Sequence, residues 1–494
     1  MSGTETAEKS RGQWSSKLGF ILAAAGSAVG LGNIWRFPYM TGENGGASFV
    51  FLYLLSALLL VLPLMWAELA FGRHTQKNML GGILKVQPKS FWIIPGIFAF
   101  LVSLIVLSYY SVIAGWTIGY IYITLRGIEM NFGSFISNLN YIIPLFAIFM
   151  FLTIWIVQAG VEKGIERWCS FLMPILVLLC FAVAIRSLML PNAMEGVKYY
   201  LVPDFSKINT RVMMDAVAQA FFSLSVGAGL MVVYGSYMSK KQSILKCSIS
   251  VVFADTGIAL LAGFMIFPAV FSFGKSPAAG PTLTFQILPE VFKAMPLGSI
   301  VGACFFLLLL IAALTSSISL LEVPVSYFVD EKKSRKFCAW SIGIFAFLLG
   351  IPSALSLGAC NWLSNVQFMG KTGFLDIVDF IFGTLGFVTT SLFFCIFLGW
   401  KYQVQLIADE LNEGNPGFKE KSFLGLTLCK LWIFFIKIIA PGFLTVLLLN
   451  RIGLDDNPLR TGSIIFVVLL VAHIFFSPKR NALKKDKIQE EITL

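Results

Sequence analysis

Two hydrophobic runs carry residues that a plain membrane span does not need. The first, LGFILAAAGSAVGLGNIWRFPYM, sets Gly26, Gly30 and Gly32 around Ser27 and Ala28, then continues with Asn33, Arg36 and Pro38. The other, VAQAFFSLSVGAGLMVVYGSY, places Ser223, Ser225, Gly227 and Gly229 near its midpoint. An interrupted helix exposes carbonyls and N–H groups at membrane depth, which is tolerated only against protein, water or ligand. Such carbonyls can hold a cation, and the freed N–H groups of a half-helix can hold a carboxylate. Glycines in membrane helices also serve close packing. Two similarly placed interruptions, one with an asparagine and an arginine, favour the site reading.

Other polar residues fit the same place. A later run contains Ala312, Thr315, Ser316 and Ser317, then Glu322. The hydroxyls of Thr315 and Ser316 can turn toward a sodium ion, or bond their own helix. Asp255 and Asp379 lie in apolar runs where an unpaired charge is costly. Arg36 and Asp379 are both expected near the outer mouth, where they would pair. Glu68 and Glu322 read as structural or gating groups.

These residues need a membrane scaffold to position them. Of 494 residues 57% are hydrophobic and 13% charged, about half the usual charged share. That little charge cannot cover several soluble domains. Twelve apolar segments recur: 17–40, 48–70, 91–125, 142–158, 168–188, 213–237, 246–273, 298–329, 337–355, 374–400, 424–449 and 461–477. With the N-terminus inside, 24 of the 37 basic residues fall on the inner side and ten on the outer, which puts both termini in the cytoplasm. This topology accounts for the net charge of +11 without a nucleic-acid partner. The eight cysteines include no CxxC pair, and two histidines are too few for a histidine-rich metal site.

The chain divides into an N-terminal cytoplasmic segment 1–16, a first repeat 17–188 (helices 1–5), an outer loop 189–212, a second repeat 213–400 (helices 6–10), a unit 401–477 with a linker and helices 11–12, and a basic tail 478–494. Within the second repeat, 274–297 reads as a short helix or re-entrant lid on the outer face. The inner loop 401–422 reads as solvated linker. The fold class is an all-α polytopic membrane protein of twelve helices, with a ten-helix core in two inverted five-helix repeats and helices 1 and 6 broken.

The string AGSAVGLGNIWRFPYMTGENGGASFVFLY, with PLMWAELAFGR, SYYSVIAGW, QAFFSLSVGAG, LAGFMIFP and ALTSSISLLEVP, resembles the neurotransmitter/sodium symporter family in its bacterial amino-acid branch. The resemblance runs from about residue 11 to 449 in order and spacing. It implies sodium-coupled uptake by a multi-pass protein of a bacterial inner membrane, with two sodium ions, no organic cofactor and a possible homodimer. One sodium would meet carbonyls of Gly26, Val29 and Ala312 and hydroxyls of Thr315 and Ser316. The other would meet Ala28, Asn33, Ser223 and Asp255; a one-residue shift in alignment would put Ala254 in the last place. The substrate pocket would be lined by Ser27, Ala28, Gly30, Gly32, Val106, Tyr110, Phe222, Ser225, Ala228, Ser316 and Leu320. Arg36 with Asp379 would form the outer gate, and Arg11, Trp14 and Asp330 an inner latch.

Three departures or choices set expectations. Relatives that need chloride would hold it at positions matching Tyr53, Gln219, Ser223, Asp255 and Ala259. Here Asp255 supplies a fixed negative charge and Ala259 has no hydroxyl, so chloride is not expected. Asp255 is also placed to take a proton on the return step. Gly30 stands where the monoamine branch has an aspartate, so the substrate must bring its own carboxylate. A neutral, hydrophobic or aromatic amino acid is therefore expected, with Ala228 leaving room for bulk. The alternative is a sodium-dependent amino-acid-binding receptor without turnover. A channel lacks filter repeats, and an enzyme lacks a Ser/His pair or a metal cluster.

Overall fold

The computed structural model describes residues 12–278, 280, 283–420, 422–423, 426–454 and 457–476. Helix occupies each of the twelve expected segments. Among the described residues, nine helices are long and apolar enough to cross a membrane, and a bent pair, Lys17–Ala28 with Gly32–Glu43, makes a tenth. The sixth segment falls short of that length because it is split into Thr210–Ser223 and Leu230–Ser236. The last helix is Pro458–Phe476.

Packing reveals the repeat that sequence identity hides. The first span packs on the seventh, and the sixth on the second. The third packs on the tenth, and the eighth on the fifth; the third packs on the fourth, and the eighth on the ninth. Adding or subtracting five exchanges the members of each pair. The third and eighth spans, Phe91–Arg126 and Gly298–Asp330, form the most extensive helix pair and map onto each other.

The breaks have local causes. Ser16 caps the first helix by accepting from the Gly19 N–H at 2.9 Å, and the helix ends where Val29 turns extended (φ −71°, ψ 102°). In the sixth span, Ser225, Gly227 and Gly229 take positive φ of 53°, 102° and 73°. A Cβ at Gly227 would lie 2.3 Å from the Phe387 carbonyl, so both the backbone angle and the space demand glycine.

The outer segment 274–297 contains a π-turn, Leu283–Ile287, and a helix, Leu288–Ala294. Phe285 plugs it into the bundle against Trp116 and Tyr120, each at 5.4 Å between ring centroids. The inner loop is not plain linker. Its helix Val404–Asn412 buries Val404, Ile407, Ala408, Glu410 and Leu411. Arg73, fully buried, reaches Glu410 Oε1 at 2.5 Å and the Gln242 carbonyl at 2.6 Å. The amphipathic helix closes the inner end of the second span, which a solvated linker could not do.

Candidate functional site

The two breaks face each other around one buried carboxylate. Asn33 donates from Nδ2 to Asp255 Oδ1 at 2.7 Å and to the Asp255 carbonyl at 3.0 Å. The Tyr53 hydroxyl lies 3.1 Å from Oδ2, and the Ser223 hydroxyl lies 3.0 and 2.9 Å from the two carboxylate oxygens. Asn33 Oδ1 accepts from the Gly30 N–H at 3.1 Å, which ties the broken backbone to this cluster. First, second, sixth and seventh spans thus meet at Asp255, which is fully buried. Its neighbour Ala254 is partly exposed, so the geometry favours Asp255 over the one-residue shift.

The eighth span closes the other side. Ser316 donates to the Ser27 carbonyl at 3.2 Å, and its hydroxyl lies 3.4 Å from the Val29 carbonyl. Ser225 donates to the same Ser27 carbonyl at 3.2 Å. Thr315 bonds carbonyls of Ile311 and Ala312 in its own helix, and its Cβ would lie 3.3 Å from a Cβ placed on Gly26. The Tyr110 hydroxyl accepts from the Leu31 N–H at 3.2 Å.

Between these groups lies a cavity of about 30 Å³ lined by Ala28, Gly30, Gly32, Val106, Tyr110, Phe222, Ser225, Ser316, Leu320 and Phe387. That volume is small beside the roughly 300–1,000 Å³ of an ordinary small-molecule pocket. The walls must separate to admit a larger guest. Phe222 roofs the cavity: the Arg36 guanidinium sits 4.6 Å above its ring, and Arg36 donates to Gln219 Oε1 at 3.0 Å. Gln219 in turn donates to the Gly32 carbonyl at 2.8 Å.

A model of the sodium:neurotransmitter symporter family matches residues 11–132 and 129–466. The chain belongs to that family. It is 41% identical over 454 residues to the uncharacterised sodium-dependent transporter YhdH of Bacillus subtilis, covering 90% of this chain and 98% of that protein. It is 35% identical over 467 residues to an uncharacterised sodium-dependent transporter of Haemophilus influenzae, covering 90% and 99%. The crystal structure of MhsT in complex with L-phenylalanine aligns with a TM-score of 0.81 at 41% identity, covering 89% of this chain and all of that one. The chain is a membrane transporter of this symporter family, not an enzyme.

Most residues that the family resemblance implies for the pocket converge on the cavity. Ser27 contributes only through its carbonyl, and Ala228 does not line the cavity although it is fully buried. Ala228 lies between Gly227 and Gly229, both in the left-handed region. The expected Arg36–Asp379 ion pair is also corrected. Arg36 is engaged by Gln219 and Phe222, while Asp379 accepts from the Tyr109 hydroxyl at 2.8 Å. Arg11, expected in the inner latch with Asp330, lies outside the described residues. Phe387 of the tenth span was not foreseen; it meets Phe222 at 6.0 Å between centroids. Glu68 was expected as a structural or gating group, and its Oε1 accepts from the Gly227 N–H at 2.8 Å, holding the second break from the second span.

The inner end is closed by a connected cluster. Trp14 donates from its indole to the Tyr234 carbonyl at 2.9 Å and packs edge-on against Tyr237 at 5.9 Å. Tyr237 donates to Glu322 Oε1 at 2.6 Å, and Arg335 holds both Glu322 oxygens at 2.8 Å.

Proposed function

We propose that this transporter couples inward sodium flow to uptake of a neutral, hydrophobic or aromatic L-amino acid by alternating access, without chloride, from the cell membrane with both termini in the cytoplasm. The observation that carries the reading is the pairing of the two breaks around Asp255 beside a cavity with one polar and one apolar wall. The polar wall, with Tyr110, Ser225, Ser316 and the backbone at Gly30, suits an amino acid's charged ends. The apolar wall of Val106, Leu320, Phe222 and Phe387 suits its side chain, and a charged side chain would be heavily penalised by desolvation. The solved relative MhsT, bound to L-phenylalanine, lends support to that substrate class.

Two sodium ions have candidate oxygens. The first would use Ala28, Asn33, Ser223 and Asp255, beside the substrate carboxylate. The second would use carbonyls of Gly26, Val29 and Ala312 with hydroxyls of Thr315 and Ser316. Each hydroxyl can go on donating to its carbonyl while its oxygen lone pairs face the ion. Outward gating falls to Phe222 with Arg36 and Asp379, and inward gating to Trp14, Arg11 and Asp330.

A thermal-shift screen of all twenty amino acids in sodium and in potassium tests the reading. Leucine, methionine, phenylalanine, tyrosine or tryptophan should raise the unfolding midpoint in sodium and not in potassium. A ligand at a hundred times its Kd adds about 2.7 kcal/mol. Equal stabilisation by glycine or glutamate would reject the substrate class, and equal stabilisation in potassium would reject sodium coupling.

Tyr110→Phe probes the polar wall. The change removes the acceptor of the Leu31 N–H and a donor facing the cavity. A hydrogen bond to a charged group is worth about 1.5–3 kcal/mol, so substrate affinity should fall roughly ten- to hundredfold. Isothermal titration in sodium reads it; an unchanged affinity would remove Tyr110 from the carboxylate site.

A further inference from the structure

We propose that a second cavity, of about 740 Å³, is a binding site for the phosphate headgroup of an anionic phospholipid. Trp155, Gln158, Ala159, Lys163, Arg167, Trp168, Phe171 and Lys336 line it. It lies where the fourth span, Leu139–Gln158, turns into the fifth, Val161–Leu188, beside the start of the ninth, Arg335–Leu355. This site rests on membrane embedding alone and does not depend on the substrate assigned above.

Charge asks for an anion here. Lys163, Arg167 and Lys336 make no ion pair among the described residues. Of the two acids beside them in sequence, Glu166 is already spent on Ser15, accepting from its N–H at 2.8 Å and its hydroxyl at 2.6 Å, and the exposed Glu162 makes no ion pair among the described residues. Three uncompensated cations around one cavity repel one another until an anion joins them.

The arrangement of apolar groups selects a lipid as its source. Lys163, Arg167 and Phe171 lie on successive turns of one helix, passing from the loop into the span. Phe171 is 61% exposed and Trp155 44% exposed, as hydrocarbon-facing residues of a membrane protein are. Trp155 and Trp168 meet edge to face at 5.5 Å, at the depth where indoles favour the headgroup boundary. Along this helix the cations Lys163 and Arg167 come first and the rings of Trp168 and Phe171 follow deeper into the span. That order of groups follows a phospholipid from head to chain. The loop belongs to the side that carries the excess of basic loops, where anionic lipid attracts them.

The wall also touches the inner closure. Arg335, next to Lys336, donates to the Val157 carbonyl at 3.3 Å while holding Glu322, and Trp340 donates to Gln158 Oε1 at 2.8 Å. A headgroup bound here would brace the fourth-to-fifth-span turn against the ninth span.

Native mass spectrometry of the full chain in detergent, with phosphatidylglycerol or phosphatidylcholine added, tests the site. Phosphatidylglycerol should be retained and phosphatidylcholine lost. The triple variant Lys163→Gln, Arg167→Gln, Lys336→Gln should weaken retention roughly hundredfold, about fivefold for each cation. Should the triple variant fail to fold, Lys336→Gln alone should weaken it about fivefold. The double variant Lys163→Arg, Lys336→Arg should retain the lipid. Equal retention of both lipids, or unchanged retention in the glutamine variants, would overturn the proposal. Displacement by soluble glycerol phosphate at the same concentration would overturn the lipid assignment in favour of a free anion.

Discussion

Asp255→Asn should convert a transporter indifferent to chloride into one that depends on it. In the wild type, uptake in sodium gluconate should equal uptake in sodium chloride. The reason is the fixed carboxylate, which is fully buried and held by Asn33, Tyr53 and Ser223 at 2.7–3.1 Å. A sodium ion beside it meets a counter-charge that never dissociates. Two unit charges 4 Å apart interact by about 4 kcal/mol at an effective dielectric of 20. Losing even a third of that weakens sodium binding about tenfold. The amide keeps the shape and one acceptor oxygen, but its NH2 cannot accept from its former donors and the charge is gone, so a mobile anion near Tyr53, Gln219 and Ser223 must replace it. Sodium activation curves of uptake, measured in chloride and in gluconate, read the effect. The variant should need at least tenfold more sodium in gluconate, with part of the loss recovered in chloride. Identical curves for wild type and variant in gluconate would sink the assignment.

How far the sequence carried this picture depends on the range of each interaction. The spans were legible because hydropathy is a local property, and the breaks because Gly26–Gly32 and Ser225–Gly229 are local departures from it. The cluster at Asp255 was legible in composition, since a carboxylate in an apolar run demands partners; the family resemblance named Asn33, Tyr53 and Ser223 beside it, and the folded chain supplied their hydrogen bonds. Phe387 left no signal, being one apolar residue among many in the tenth span; only its approach to Phe222 distinguishes it. The Arg73–Glu410 pair joins residues 337 positions apart, and neither end announces the other. Arg36 shows the opposite error. Opposite charges expected at one mouth suggested a direct pair, yet a guanidinium can satisfy itself on an amide oxygen and an aromatic face.

The Glu322–Arg335 pair ties the eighth span to the ninth beside Tyr237, and it can be removed from one side. Glu322 has no exposed side-chain surface and Arg335 is 18% exposed. Arg335→Ala would strip both guanidinium bonds and leave a buried carboxylate with the Tyr237 hydroxyl at 2.6 Å. Removing one member of a buried ion pair costs about 3–5 kcal/mol, much of it the penalty of the charge left behind. Because Tyr237 also packs on Trp14, the loss should reach the plug beneath the cavity. The single variant is therefore expected to lower the thermal unfolding midpoint and to raise labelling of a cysteine introduced at Ser27 by a water-soluble reagent added from the inner side. Adding Glu322→Gln should recover more than half of the lost stability, since an amide needs no counter-charge. It should not restore the closed plug, because the guanidinium that joined the eighth and ninth spans is still missing. A double variant no more stable than Arg335→Ala would mean that the charge left on Glu322 is not the source of the loss. Unchanged labelling in both variants would mean that the cluster stabilises the fold without gating it.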